Sequence, residues 1–257
     1  GYDLEPKNIT TYKKTYKNLW EFATAFTVNT PYLERLLQQV NIYNKPHFVL
    51  PVSLDTVFFK PINPKVNTAV FNMVFCGKLI LLKGPDLAIK IIHKLHEKGY
   101  KQVYLDIIGD GYLIQELKQL VQKYQLDDYV VFYGKLSQNE VKYRFEQADV
   151  FVLPGRIDLE TSRAETQGLV IQEAQAMQLP VVVSSAGGMK YGLLDKESGF
   201  VVKEEDVNGF VTCIEKLINN PARKREMGEI GRKFVVQNYN NEILVNRILD
   251  IYQITYN

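Results

Sequence analysis

The chain has 257 residues, 46% of them hydrophobic and 23% charged, with a formal net charge of +2 at pH 7. A chain of this length buries roughly 70–75% of its unfolded surface without needing disulfides or metals, and nothing in its near-balanced charge points to a dedicated nucleic-acid binder. No apolar run approaches the ~20 residues of a membrane span, and the two cysteines, Cys76 and Cys213, lie outside any CxxC spacing and read as small buried hydrophobes that fit a reducing compartment.

In chain order, residues 1 to about 60 read as helix, short strand, helix, short strand. The polar opening Gly1-Tyr2-Asp3 carries no signal-peptide pattern, and Lys13, Lys14 and Lys17 read as a solvated helix face rather than a membrane contact. The second strand, Phe48-Val49-Leu50, runs into Pro51, and Pro61 and Pro64 follow. Prolines at this density predict a stiff, extended connection rather than a core element. That places a domain boundary near residue 62, giving a segment 1–62, a main domain 63–238, and a terminal helix within 239–257 that packs back toward the first segment.

From residue 69 the pattern becomes regular. Strands are expected at 69–75, 103–108, 129–132, 150–153, 180–183 and 200–202. Helices are expected at 84–97, about 112–124, 139–148 and about 168–177, and then at 206–218, 221–238 and 240–254. The strands are near-continuous runs of β-branched and aromatic residues, the signature of strands buried on both faces. Strict β–α alternation with short loops predicts an α/β fold with a doubly wound, parallel, Rossmann-like sheet plus a partial N-terminal α/β segment. In such sheets ligands bind outside the carboxyl ends of the strands, so functional residues belong immediately after strands.

The strongest motif is the stretch from Glu165 to Ala174, which sets Glu165 and Glu173 eight residues apart with Gly168-Leu169 just before an apolar helical run. A glycine at a helix start lets backbone approach closely, and the free N–H groups there form an anion site. Two carboxylates flanking an anion site suit a ligand with hydroxyl-rich groups at both ends and phosphate between them. Gly77-Lys78 and Lys83-Gly84 follow the first long strand, putting two lysines where a diphosphate would need about two cations. Gly109-Asp110-Gly111, Gly134-Lys135-Leu136 and Gly187-Gly188 follow three further strands. Each alone is an ordinary turn, but together they mark one sheet edge. His93 and His96, three apart on one helix with no carboxylate or cysteine partner, read as helix-surface residues rather than a metal pair.

This constellation resembles glycosyltransferase family 4, the retaining GT-B enzymes, over nearly the whole chain from Ala25 to Tyr252. The resemblance implies that the main domain binds a nucleoside-diphosphate sugar and that the enzyme moves the sugar to a glycan or lipid-linked acceptor, in polysaccharide or glycoconjugate biosynthesis. Carried over residue by residue, Lys78 and Lys83 would bind the donor diphosphate, Glu165 would contact the sugar, and Glu173 would hold the ribose hydroxyls. Backbone around Lys135 and Leu136 would read the base, Gly168 and Leu169 would offer amides, and Gly77, Gly109, Gly111 and Gly134 would shape the donor cleft. Lys78 stands where the family most often has arginine, and Lys190-Tyr191 where it commonly has Pro-Glu. Gly1-Tyr2-Asp3 resembles a segment late in the family's acceptor domain, and residues 52–61 resemble its interdomain connection. Residues 1–62 are therefore expected to be an acceptor-domain remnant with its linker, and the chain alone is expected to bind donor without efficient transfer. No metal or other cofactor is expected. The expected location is cytoplasmic, with peripheral contact at the inner membrane face and oligomeric state left open. The competing readings are a GT-B relative that epimerises or phosphorolyses sugars, and a catalytically inactive nucleotide-sugar-binding or interaction module. No role is assigned to residues 156–163.

Overall fold

The computed structural model describes residues 20–40, 44–62 and 69–256. Gly1-Tyr2-Asp3, the lysines 13, 14 and 17, and Pro64 lie outside the described residues. Two sheets are present among these residues, both parallel. Strands β1 (Phe26–Val28) and β2 (His47–Val49) pair across helix α1 (Pro31–Val40), with a small core of Val28, Leu33 and Leu37.

The large sheet contains β3 (Phe71–Cys76), β4 (Val103–Ile108), β5 (Val130–Gly134), β6 (Val150–Leu153), β7 (Val181–Ser184) and β8 (Gly199–Val202), in the order β5-β4-β3-β6-β7-β8. This is the doubly wound parallel architecture expected from the strand–helix alternation. Chain growth runs from β3 outward to β5, then jumps back to β6 beside β3 and runs the other way. Right-handed crossovers in opposite directions put the connecting helices on opposite faces. Helix α2 (Pro85–Glu97) packs beside α3 (Ile114–Lys123) and α6 (Val207–Ile218), while α5 (Leu169–Ala176) packs on α7 (Pro221–Tyr239). Helix α4 (Gln138–Gln147) opens with a capping box, Ser137 Oγ accepting from Glu140 N–H while the Glu140 carboxylate accepts from Ser137 N–H. Such reciprocal capping satisfies two orphan donors of the first turn. Helix α8 (Asn241–Tyr256) closes the chain.

Strand burial varies with position in the sheet. Central β6 and β7 are buried throughout, whereas Tyr104 and Asp106 on β4, and most of edge strand β5, are partly open to solvent. Burial on both faces therefore holds for the middle of the sheet and fails toward the β5 edge, where fewer neighbours cover the strand.

Three sequence readings are corrected by packing. The proline-punctuated connection does enter the core: Leu54 and Phe59 are buried in the main cluster. Its turn is held by the Asp55 carboxylate, which accepts from Val57 N–H at 2.9 Å and Phe58 N–H at 2.8 Å. His96 is not a surface residue but is buried, with its Nε2 2.9 Å from Val103 O and its ring edge-on to Tyr129, while His93 stays half-exposed and stacks on Tyr124. Cys76 and Cys213 are partly rather than fully buried.

Candidate active site

The order of strand addition reverses between the parallel neighbours β3 and β6, so the loops leaving these two strands diverge and open a crevice at their carboxyl ends. The crevice is an open cleft of about 1220 Å³. Its walls are the segment after β3, including Lys78 and Lys83, and the segment after β6, including Arg156 and Glu165. Tyr32 of α1 adds to the rim from the N-terminal segment.

The loop after β3 is short and rigid. Gly77 N–H donates to Ile108 O at 3.0 Å and Leu79 N–H to Asp110 O at 3.0 Å, tying this loop to the end of β4. Gly109 N–H in turn donates to Gly134 O at 2.8 Å, tying β4 to β5. The glycines at the ends of the first three long strands thus form one stitched edge. Gly111 abuts the Leu79 backbone, with no room for a side chain. Lys83 closes a single 3-10 turn, Leu81–Lys83, and its ammonium forms an ion pair with the Glu165 carboxylate across 82 residues of sequence. Both side chains are largely shielded from solvent, so the attraction is screened less than a surface pair. Lys78 lies on the exposed rim of the same cleft, in no ion pair with the described residues.

Glu165 precedes α5 rather than lying on it. Gly168 is the N-cap residue, left-handed at φ 71° and ψ 63°, with no side-chain cap on the helix start. First-turn N–H groups of an uncapped helix remain available to an anion. On the other side, Gly188 N–H donates to Glu165 O at 2.7 Å, and Gly187 and Gly188 pack so closely on Glu165 and Thr166 backbone that neither could carry a side chain.

Glu173 is half-buried one turn into α5, and desolvation pushes its carboxyl above the ordinary glutamate range. It shares the end of β3 with Lys83. The Cys76 thiol is pushed up to about 12, first by burial and then by the negative charge of Glu173, with the Lys83 ammonium acting against both. Lys78, Lys83 and Glu165 thus line one cleft at the switch point, and Gly168 follows Glu165 closely, an added Cβ on it standing 3.4 Å from Glu165 Cγ. Gly77, Gly168, Leu169 and Glu173 lie beside the cleft rather than in its lining, and Gly109, Gly111, Gly134, Lys135 and Leu136 stand on the same sheet edge outside it as well. There Lys135 lies 3.9 Å from Asp110, largely in solvent.

Three residues join the site without having been singled out in the sequence. Tyr112 lines the cleft and its hydroxyl accepts from Leu81 N–H at 3.3 Å. Arg156, well shielded, pairs with Asp86 at 3.1 Å and Glu205 at 3.5 Å, anchoring the segment after β6. Gln167 is a buried polar side chain between the two glutamates. Tyr112 and Arg156 did carry a signal, since each closely follows a strand end. Among the described residues there is no cluster of three or more His, Cys, Asp or Glu side chains that could hold a metal ion.

Residues 60–234 match the family of glycosyl transferases group 1. The chain belongs to this family. It is 29% identical over 199 residues to the GDP-mannose-dependent alpha-(1-6)-phosphatidylinositol monomannoside mannosyltransferase of Mycolicibacterium smegmatis, a match covering 74% of this chain and 52% of that protein. It is 30% identical over 219 residues to the D-inositol 3-phosphate glycosyltransferase of an Arthrobacter species, covering 80% of this chain and 50% of that one. The chain thus spans about half the length of the curated relatives it matches. Among solved structures, sucrose-phosphate synthase from Thermosynechococcus elongatus superimposes with a TM-score of 0.81 at 22% identity, covering 96% of this chain and 62% of that one. The Anabaena protein HepE in complex with UDP-glucose gives a TM-score of 0.78 at 17% identity, covering 97% of this chain and 70% of that one. These likenesses establish the GT-B glycosyltransferase fold.

Proposed function

We propose that this chain forms the donor-binding wall of a retaining glycosyltransferase that moves a sugar from a nucleoside diphosphate to a glycan or lipid-linked acceptor. The observation that carries the reading is one switch-point cleft lined by the Lys83–Glu165 pair and by Lys78, which makes no ion pair with the described residues, with the uncapped start of α5 at Gly168 following Glu165 by three residues. A diphosphate placed there meets two ammonium groups and the helix N-terminus. The pairing of Lys83 with Glu165 sets a sugar-gripping carboxylate beside a phosphate-binding cation, the order of groups along a nucleotide sugar. As the glycosidic bond breaks, negative charge grows on the departing diphosphate, and fixed cations and amides lower the barrier electrostatically. Glu173, further along α5, would accept the ribose hydroxyls. The relatives divide both on the acceptor, a phosphatidylinositol monomannoside for the Mycolicibacterium protein and D-inositol 3-phosphate for the Arthrobacter protein, and on the nucleotide: the Mycolicibacterium relative is GDP-mannose-dependent and the HepE structure holds UDP-glucose.

Calorimetric titration of the chain with UDP, GDP and ADP tests the reading. The expected result is selective binding of one diphosphate, weakened at least tenfold by Lys83→Ala and by Glu173→Ala. Loss of one phosphate-bound cation costs about 1.5–3 kcal/mol, which is the basis for that factor. Absence of binding to all three would discard the donor-site reading and leave an interaction module.

A further inference from the structure

The loop between Glu165 and Gly168 contains a side chain whose partners lie far away in sequence. Gln167 is 3% exposed, and its amide pairs with both backbone groups of a single linker residue. Val52 N–H donates to Gln167 Oε1 at 2.8 Å, and Gln167 Nε2 donates to Val52 O at 3.0 Å, across 115 residues. A primary amide facing a peptide group in this way reproduces one rung of a β-ladder, satisfying its buried oxygen and nitrogen together. An apolar side chain would fill the same space without fixing where the linker stands.

Both ends of this rung lead to something functional. On the loop side, Gln167 immediately precedes the helix-capping Gly168 and follows Glu165 by two residues, while Glu165 O is pinned by Gly188 N–H at 2.7 Å. On the linker side, Leu50 N–H donates to Val28 O at 2.7 Å, joining the connection to β1, and Leu54 N–H donates to Tyr239 O at 2.8 Å. Val52 therefore sits between an anchor on the N-terminal segment and an anchor on the main body. The β1–β2 segment and the loop 165–168 are thus joined through Val52 and Gln167.

We propose that Gln167 is a positioning residue that couples the linker at Val52 to the Glu165 carboxylate, so that the grip on the donor sugar follows the placement of the N-terminal segment. The inference rests on the donor-site reading above. It separates two parts of donor recognition. Lys78 stands on the loop after β3 with no ion pair to the described residues, whereas Glu165, and Lys83 through its ion pair with Glu165, follow the loop that Gln167 holds.

Two variants break the rung from opposite ends. Gln167→Ala removes both hydrogen bonds, and Val52→Pro removes the linker N–H at an exposed position while leaving Gln167 in place. In the unliganded 257-residue chain, hydrogen exchange of amides 164–168 is expected to accelerate at least tenfold in both variants, with amides 181–184 unchanged. Calorimetric titration then uses UDP against UDP-glucose and GDP against GDP-mannose. The affinity ratio of nucleotide sugar to its parent diphosphate is expected to fall at least fivefold in both variants, any loss of affinity for the diphosphate alone being the smaller of the two. A purely structural role would instead weaken sugar and diphosphate forms together and leave their ratio intact. Unchanged exchange at 164–168, a Val52→Pro protein indistinguishable from wild type, or an unchanged affinity ratio each overturns the proposal. Should the wild-type chain bind none of the four ligands, the donor-site reading fails, and the exchange experiment alone then decides whether the coupling exists.

Discussion

Glu173 is a carboxylate placed where folding alone would not put one. It is half-buried, its carboxylate makes no hydrogen bond or ion pair with the described residues, and burial raises its pKa. For an acid the sign is fixed by linkage. The unfolded chain ionises Glu173 at its ordinary value of about 4.5 while the folded chain still holds the proton. The stability cost is therefore absent below that value, grows as pH rises toward the raised folded value, and is complete above it. Glu173→Gln is expected to raise the melting temperature at pH 7 and to leave it unchanged near pH 3.5, as measured by calorimetry at both pH values. The same substitution should weaken diphosphate binding at pH 7, because an amide accepts hydroxyl protons less strongly than a carboxylate. A residue that lowers stability while serving a ligand is the usual mark of a functional position. If Glu173→Gln stabilised the fold and left binding intact, its place in the donor site would be lost.

At the scale of the element, the start of α5 shows what local sequence encodes. Gly168 adopts φ 71°, and an added Cβ would stand 2.9 Å from Ile171 Cδ1 and 3.4 Å from Glu165 Cγ. Gly134 has nearly the same backbone angle, φ 67°, but open space around it. A left-handed alanine costs roughly 1–2 kcal/mol from backbone sterics alone. Gly134→Ala is expected to lose only that, whereas Gly168→Ala adds displacement of Ile171 and of Glu165. Thermal unfolding should place Gly168→Ala lower by about 2–4 °C per additional kcal/mol, and only Gly168→Ala should also weaken diphosphate binding. Equal melting temperatures for the two variants would mean that Ile171 yields freely. Glycines of this kind, and strands as apolar as β6 and β7, were legible in the sequence because the signal is local: a short run or a single residue type. The succession of long strands along the chain and the strand-end loops followed from the same patterns, whereas their order within the sheet did not. What was not legible depends on partners distant in the chain. Leu54 and Phe59 look like linker residues until α7 and the main sheet cover them. His96 looks like a helix-surface residue until Val103 and Tyr129 close over it. Gln167 looks like one more loop amide until Val52 is set against it, and nothing within ten residues of it announces that pairing.

At the scale of the whole molecule, one side chain of α7 ties the linker to α5 through three carbonyls. Arg232 on α7 donates to Phe59 O at 2.9 Å and Thr56 O at 3.4 Å in the linker, and also to Ala176 O at the last turn of α5. Its planar guanidinium presents five N–H groups in a fixed fork, which is how one side chain can serve three carbonyls at once. Close by, Asn240 Nδ2 donates to Thr56 Oγ1 at 2.8 Å, and Leu54 bridges to Asn240, so the start of α8 is fastened to the same stretch. Helix α5 has its N-cap three residues after the cleft-lining Glu165 and ends at Arg232, and the linker contacts both ends, through Gln167 at one and Arg232 at the other. Arg232→Met keeps an apolar stem in place while stripping every donor. Each partly buried carbonyl left without a partner costs about 1–3 kcal/mol, so the melting temperature should fall by several degrees and the linker should become the first site of limited proteolysis. Arg232→Lys should recover only part of the loss, because one ammonium cannot span carbonyls on two separate elements. The pairing of the two readouts is what matters: a destabilised variant whose linker stays resistant to protease would mean that Arg232 supports α5 alone, and that the linker is held by Leu54, Phe59 and Asn240 without it.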